Sequence, residues 1–331
     1  MINKKYLIVY LLMPVLIIAV FLFSLLIGSN EISFFDVIKS LLGNTDENIV
    51  AIIKNIRFPR TIMACITGAG LAVSGCVFQA ILKNSLADPF TLGISGGAAF
   101  GAVTAFVSGL ATITSFFIPL CSFVGVILSV LIVYLLSMYK KFDPNAMILS
   151  GVVISYVFSS AVMLMFSLSP SYGIHVAFVW LMGSFSMIDE RFLPFVVFVV
   201  LSGIIILSLS GNIINAISLG GEKSKTIGLN IERSIKILFI VASFITAVTV
   251  SFCGIIGFVG LMIPHIMRKI VDTNNIILIP ASAFAGAIFL PLCDTLSRAL
   301  FAPVLIPVGV ITSIIGGLFF VFLLLKSERN I

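Results

Sequence analysis

Long apolar runs separated by short polar stretches set the pattern of this chain. A helix that crosses a bilayer needs about 20 apolar residues. On that measure the sequence predicts ten spans, at roughly 6–28, 61–82, 92–109, 114–138, 145–168, 192–210, 234–254, 255–270, 276–296 and 305–325. The eighth is short and dense in Gly254, Gly257, Gly260 and Pro264, which predicts a broken or tilted segment. The first run, from Tyr6 to Ile27, follows Lys4 and Lys5. It exceeds the about 7–15 residues of a signal-peptide core and lacks an evident small-x-small cleavage site, so it reads as a retained helix.

Within the third span Gly93, Gly97 and Gly101 recur every four residues and share one face. Such a face lets helix backbones approach closely; the other reading is that it lines a pathway. Two polar stretches stand apart from the spans. The outer one, 29–60, is long enough for a short interfacial helix around Ile32–Leu42. The inner one, 211–233, is divided by Gly220–Gly221 into two amphipathic pieces, Ile213–Leu219 and Glu222–Leu229. Two short helices joined by a glycine turn would lie along the cytoplasmic face. A docking surface for a cytoplasmic partner explains why so long a loop keeps apolar positions.

Composition agrees with this pattern. Of 331 residues 60% are hydrophobic and 10% charged, against about 25% charged in a soluble globular chain. So few polar residues could not cover a water-facing surface, and the expected class is an all-α integral membrane protein. No charge run or Ser/Pro-rich linker breaks the chain, which predicts one membrane domain over 1–331. The net charge of +6 reads as basic residues gathered in cytoplasmic loops rather than as nucleic-acid binding. With the N-terminus inside, thirteen Lys and Arg fall on the inner side. Six (Lys39, Lys54, Arg57, Arg60, Arg191 and Arg298) fall outside. That asymmetry predicts both termini in the cytoplasm, which requires an even number of spans.

Candidate chemistry is sparse. The five cysteines lie in apolar runs without metal-type spacing and read as small hydrophobes. His175 and His265, the only histidines, lack a second ligand at helical spacing, so no metal site is expected. His265 is expected to bond backbone near the broken eighth span. Trp180, Tyr172 and Tyr156 read as interface or packing aromatics. From Asn84 to Pro89 the chain should turn tightly, because Asn and Asp side chains bond nearby backbone and proline fixes the next residue. Arg57, Arg60 and Arg298 disobey the inward bias of basic residues. Interfacial anchoring explains them, as does a contact between Asp294 and Arg298, four apart on one helix face.

Two segments carry a resemblance over nearly the whole chain. From Arg57 to Gly101 the sequence reads RFPRTIMACITGAGLAVSGCVFQAILKNSLADPFTLGISGGAAFG. Near the C-terminus it reads GIIGFVGLMIPHIMRKI from Gly254, with Asp294 and Arg298, then Pro307 and Gly309. These runs resemble the permease family of type II ABC importers, which carry iron–siderophores, haem or vitamin B12. Gln79, Asn84, Leu86, Ala87, Asp88, Pro89, Leu92, Gly93, Ser95 and Gly97 match the first hallmark. Gly257 to Leu261, Pro264, His265 and Arg268 match the second. Ser85 departs from it, standing where proline is usual.

The resemblance implies several roles. Arg57, Arg60 and Arg298 would receive acidic residues of an extracellular or periplasmic binding protein, as the planar guanidinium suits carboxylates. Asn84 and Leu86 would help close the cytoplasmic gate. Gly220, Gly221, Glu222, Lys223, Ser224, Thr226, Gly228, Leu229 and Asn230 would form the coupling segment that lies in a groove on an ATPase subunit. The chain has no G-x-x-x-x-G-K-[ST] motif, so ATP would be used by two separate cytoplasmic ATPase subunits and no cofactor bound here. The permease would be dimeric, a homodimer or a heterodimer with a paralogue, in the cell inner membrane. Its path would be lined mainly by spans five, eight and ten, and its cargo is expected to be an iron chelate, with cobalamin as the alternative.

Other classes fare worse on the residues. A membrane enzyme needs convergent polar groups at membrane depth, and neither H-E-x-x-H nor paired intramembrane aspartates occur. An ion-coupled secondary transporter needs embedded acidic residues and inverted repeats. Asp294 is its only candidate, and the inner docking segment would be unexplained.

Overall fold

The computed structural model describes residues 4–28, 33–41, 46–169, 172–186, 189–218, 230–300, 302 and 304–327, and its regular structure is entirely helical. The principal helices are α1 (Ile8–Leu26), α2 (Phe34–Leu41), α3 (Glu47–Ile81), α4 (Ile94–Val107), α5 (Phe117–Tyr139), α6 (Pro144–Leu168) and α7 (Tyr172–Leu181). There follow α8 (Leu193–Leu209), α9 (Gly211–Ser218), α10 (Ile231–Cys253), α11 (Val259–Val271), α12 (Asn275–Ala299) and α13 (Val308–Ser327). Eight described helices are long and apolar enough to cross a membrane. The other two expected spans correspond to the shorter α4 and α11.

Helix starts follow local chemistry. Asp46, Asp143, Asn230 and Asn274 each cap a first turn by accepting a backbone N–H from Asn48, Ala146, Arg233 and Ile276. A cap of this kind satisfies one of the four donors a helix N-terminus leaves open. Pro144, just after its cap, supplies a φ already suited to the first turn.

The centre of the bundle is α3. Most of its length from Pro59 to Ile81 is buried. Small residues are the reason. A side chain at Gly68 would collide with the carbonyl of Gly286 on α12, and one at Gly75 with that of Gly260 on α11. In lipid, helices gain little from hiding apolar surface, so close backbone packing supplies the association. The stripe on α4 follows the same rule. Gly97 and Gly101 meet the backbone of Gly125 and Cys121 on the antiparallel α5. Ser129 donates to the Gly93 carbonyl at 2.7 Å. The stripe therefore packs against a neighbour.

The expected break in the eighth span is present. α10 ends at Cys253, and Gly254 to Phe258 are non-helical. Gly254 and Phe258 both take left-handed backbone (φ 73° and 68°). Irregular backbone at membrane depth survives only where protein satisfies it. Here Ser184 N–H donates to the Cys253 carbonyl at 2.8 Å, and Gly309 N–H to Gly183 at 3.3 Å. Three unwound segments are thus stitched together.

Several boundaries differ from expectation. The second span starts at Glu47, not near 61, because α3 runs on through a π-helical stretch at Ile52–Arg57. The short α7 was not predicted; at 10 residues it falls below the length that marks a span. The expected interfacial helix is α2, and Ile213–Leu219 corresponds to α9. The second inner piece, Glu222–Leu229, lies outside the described residues.

Candidate functional site

Two polar junctions occupy opposite ends of the bundle. At the outer end, the close of α1, the start of the apolar part of α3 and the end of α12 converge on Asp294. Its carboxylate is fully buried. Arg60 grips both of its oxygens, with bonds of 2.8–3.1 Å, and Arg298 shares Oδ2 at 3.1 Å. Arg298 also donates to the carbonyls of Ser24 and Ile27. Arg57 donates to the carbonyls of Leu25 and Leu26 at 2.7 and 2.9 Å. Carbonyls at a helix C-terminus lack intrahelical donors, and cations suit that negative end. The end of α1 is thus capped by two arginines from other helices.

This geometry gives Arg57, Arg60 and Arg298 a structural role beside the expected docking. They are exposed by only 5%, 9% and 6%, and the bonds they make are to groups of their own chain. Burying three guanidiniums and one carboxylate is costly unless they are paired. The i,i+4 contact of Asp294 with Arg298 is present. Arg60 lines one side of an open cavity of about 430 Å³ with Asn55, Ser186, Asp189 and Glu190, and Ser186 accepts one of its N–H groups at 3.1 Å. Beside that cavity, Arg191 hydrogen-bonds Asp189 and holds its carboxyl below the usual carboxylate range.

At the inner end, the expected turn forms. Asn84 Oδ1 accepts the Leu86 N–H at 2.9 Å, and the Asn84 carbonyl accepts from Ala87. Asp88 caps a 3-10 turn, Pro89–Leu92, through the Phe90 N–H. Leu86 is left 58% exposed, and Asn84 lines a cavity of about 530 Å³. The same cavity is bounded by Gln79, Arg268, Asn215 and Asn274. Gln79 binds across helices, donating to the Gly260 carbonyl at 3.3 Å and accepting from Arg268.

The cavity's other wall is an asparagine cluster that sequence reasoning missed. Asn215 of α9 donates to Asn274 at 2.8 Å and accepts from both the backbone and the side chain of Asn275 at 2.8 Å. The start of α12 is therefore fastened to the first half of the inner segment. Ile214 and Ile217 of α9 are buried beneath it. Of the expected coupling residues, Gly220, Gly221, Glu222, Lys223, Ser224, Thr226, Gly228 and Leu229 lie outside the described residues. Asn230 caps α10.

His265 does not bond backbone as expected. Its Nε2 has no hydrogen-bond partner, and the ring packs edge-on against Phe319 and Phe320 of α13. Trp180 is buried in a packing cluster. All five cysteines are free.

Comparison with known proteins bears on this arrangement. The model of the FecCD transport family matches residues 16–326. An ABC transporter permease protein of Methanocaldococcus jannaschii is 36% identical, with 96% of this chain and 95% of that protein covered. An iron(3+)-hydroxamate import system permease protein of Bacillus subtilis is 32% identical over 98% of this chain and 99% of its own. A cobalamin import system permease protein of Halobacterium salinarum is 35% identical over 85% and 75%. A solved metal-chelate type ABC transporter in an inward-facing conformation superposes with a TM-score of 0.85 at 28% identity, covering 97% of this chain and 99% of that one. The chain belongs to the FecCD transport family and is a multi-pass permease subunit of a type II ABC importer.

Proposed function

We propose that this permease carries an iron chelate inward across the cell membrane, with ATP hydrolysed by two separate cytoplasmic subunits. The observation that supports it best is the character of two exposed helix faces. α6 and α13 expose Leu149, Tyr156, Met163, Ile314, Leu318 and Phe322, and no charged residue occurs from Pro144 to Leu168 or from Val308 to Leu325. Two copies facing one another across these helices would enclose a route that offers a bulky chelate no ionic trap. Weak binding along the route favours release. The chain itself would do no chemistry and hold no cofactor.

The relatives' names frame the cargo. Iron(3+)-hydroxamate and Fe(3+)-citrate import permeases of Bacillus subtilis are both 32% identical to it. A cobalamin permease at 35% supports the second reading, vitamin B12. The test is uptake by proteoliposomes that hold the permease, its ATPase and its binding protein. Labelled ferric hydroxamate or citrate should accumulate while cobalamin does not; accumulation of cobalamin alone reverses the choice.

The gate is proposed at the inner turn, with the exposed Leu86 as its plug and Asn84 as the bond that shapes it. Docking of the binding protein by Arg57, Arg60 and Arg298 is proposed in an indirect form. Their network would hold the outer surface in shape, while exposed Lys39 and Lys54 meet partner carboxylates. Charge pairs of this kind steer encounter more than they add affinity. Lys54→Glu should therefore slow association of the binding protein several-fold at low salt, and an unchanged association rate removes this assignment. Coupling is proposed through 211–233. A bulky residue at Gly228 should leave ATP turnover intact while uptake falls.

A further inference from the structure

The helix α11 carries a proline in its interior, Pro264. Proline has no N–H, and its ring crowds the carbonyl four residues back. That carbonyl belongs to Gly260, which is buried, so leaving it unmet would cost free energy. Gln79 of α3 supplies the donor. It is 3% exposed, and its Nε2 donates to the carbonyls of Gly260 and Leu261, both at 3.3 Å. Gly75, one turn earlier on α3, clears the approach: a Cβ there would collide with the Gly260 carbonyl. The oxygen of the same carboxamide accepts from Arg268. Gly260 and Arg268 stand four residues before and four after Pro264. A helical side chain leans toward the N-terminus of its helix, so Arg268 reaches back to Gln79. One carboxamide therefore spans the proline break and holds both halves of α11 to α3.

The surroundings give this contact a consequence. Before the break, Gly260 is where the inner turn rests. A Cβ on it would lie 2.8 Å from Pro89 Cδ and 2.9 Å from the Leu71 carbonyl. The turn, α3 and α11 thus meet at Gly260 with no room to spare. After the break, Arg268 lines the inner cavity of about 530 Å³ together with Gln79 and with Asn215 and Ser218 of α9. Helices bend at proline, so the setting of α11 at Pro264 decides where Pro89 sits.

From this geometry we propose that Gln79 is a positioning residue of the inner gate. Its amide stands in for the backbone donor that Pro264 removes and fixes the setting of α11. Through Gly260 and Pro89 it holds the turn Asn84–Pro89, and with it Leu86, in register with α11. The inference rests on the reading of Leu86 as the gate's plug.

The test joins two measurements on the full-length permease. Hydrogen exchange in nanodiscs, read by mass spectrometry, follows the amides of 83–92. Uptake per ATP is measured in proteoliposomes with the ATPase and binding protein, supplied with labelled ferric hydroxamate and labelled cobalamin together. Gln79→Met keeps the length of the side chain and removes its donor. Amides at 83–92 should then exchange about fivefold faster, the effect of one lost hydrogen bond, while α1 exchanges as before. Uptake per ATP should fall several-fold. Pro264→Ala returns to α11 its own donor for Gly260. Added to Gln79→Met, it should restore most of the protection and of the uptake ratio, a recovery that lost packing at position 79 would not show. The double variant should fold even where Gln79→Met alone does not. Unchanged exchange in Gln79→Met, or a double variant no better than the single one, overturns the proposal while Leu86→Ala still lowers uptake per ATP. A wild-type ratio in Leu86→Ala overturns the gate reading itself, and this inference with it.

Discussion

Asp294 holds the outer end together through charge. It lies fully buried between the guanidiniums of Arg60 and Arg298. Removing one partner of a buried pair leaves an uncompensated charge, which costs about 3–5 kcal/mol. Asp294→Asn leaves two arginines facing one another and should lower the thermal midpoint in detergent by several degrees at least. Arg60→Glu sets two carboxylates together and should fail to fold; a well-folded Arg60→Glu protein would contradict the pairing. The sequence pointed to half of this junction. Arg298 follows Asp294 by one helical turn, so that contact is readable from spacing. Arg60 precedes Asp294 by 234 positions, and nothing local says which helices will become neighbours. The pairing of Arg60 was therefore not readable from local spacing. Positive-inside statistics place a basic residue on a side of the membrane, but they do not say whether it faces water or another helix.

At the scale of elements, glycine spacing was the most legible signal. The four-residue recurrence at Gly93, Gly97 and Gly101 pointed to a packing face, and α5 occupies it. Gly97→Leu would drive a side chain into the Gly125 backbone and should separate α4 from α5, seen as loss of folded protein on size-exclusion. A fully stable Gly97→Leu protein would argue against that packing. The break after Cys253 was also legible, since glycine and proline crowd the segment. What holds the break was not: the stitches come from Ser184 and Gly309, remote in sequence. The helix α7 escaped prediction because its hydrophobic run is shorter than a bilayer crossing. The asparagine cluster escaped it because Asn215, Asn274 and Asn275 look like ordinary loop residues until α9 and α12 meet.

That cluster makes α12 a bar between the two faces. Its inner end is fastened to α9 by three hydrogen bonds of 2.8 Å. Its outer end carries Asp294, which is tied to α3 through Arg60 and to α1 through Arg298. A displacement of the inner segment therefore has a physical route to the outer surface through packed helix. Asn215→Leu removes the fastening while keeping similar bulk. It should reduce uptake severalfold with ATP turnover preserved, measured side by side in proteoliposomes. If both fall in parallel, α9 serves assembly rather than transmission.

As a whole molecule, this chain is proposed to be a conduit moved by work done elsewhere. Long apolar helices, uncharged faces on α6 and α13, and an inner segment bonded to α12 agree with that division. The most direct measurement compares cargo accumulation in sealed vesicles containing the permease with and without its ATPase subunits. The binding protein is present in both cases, and a proton or sodium gradient is then imposed. Uptake that appears only with hydrolysing ATPase, and is indifferent to the ion gradients, is the predicted result. Accumulation by the permease without an ATPase, driven by either gradient, would contradict it.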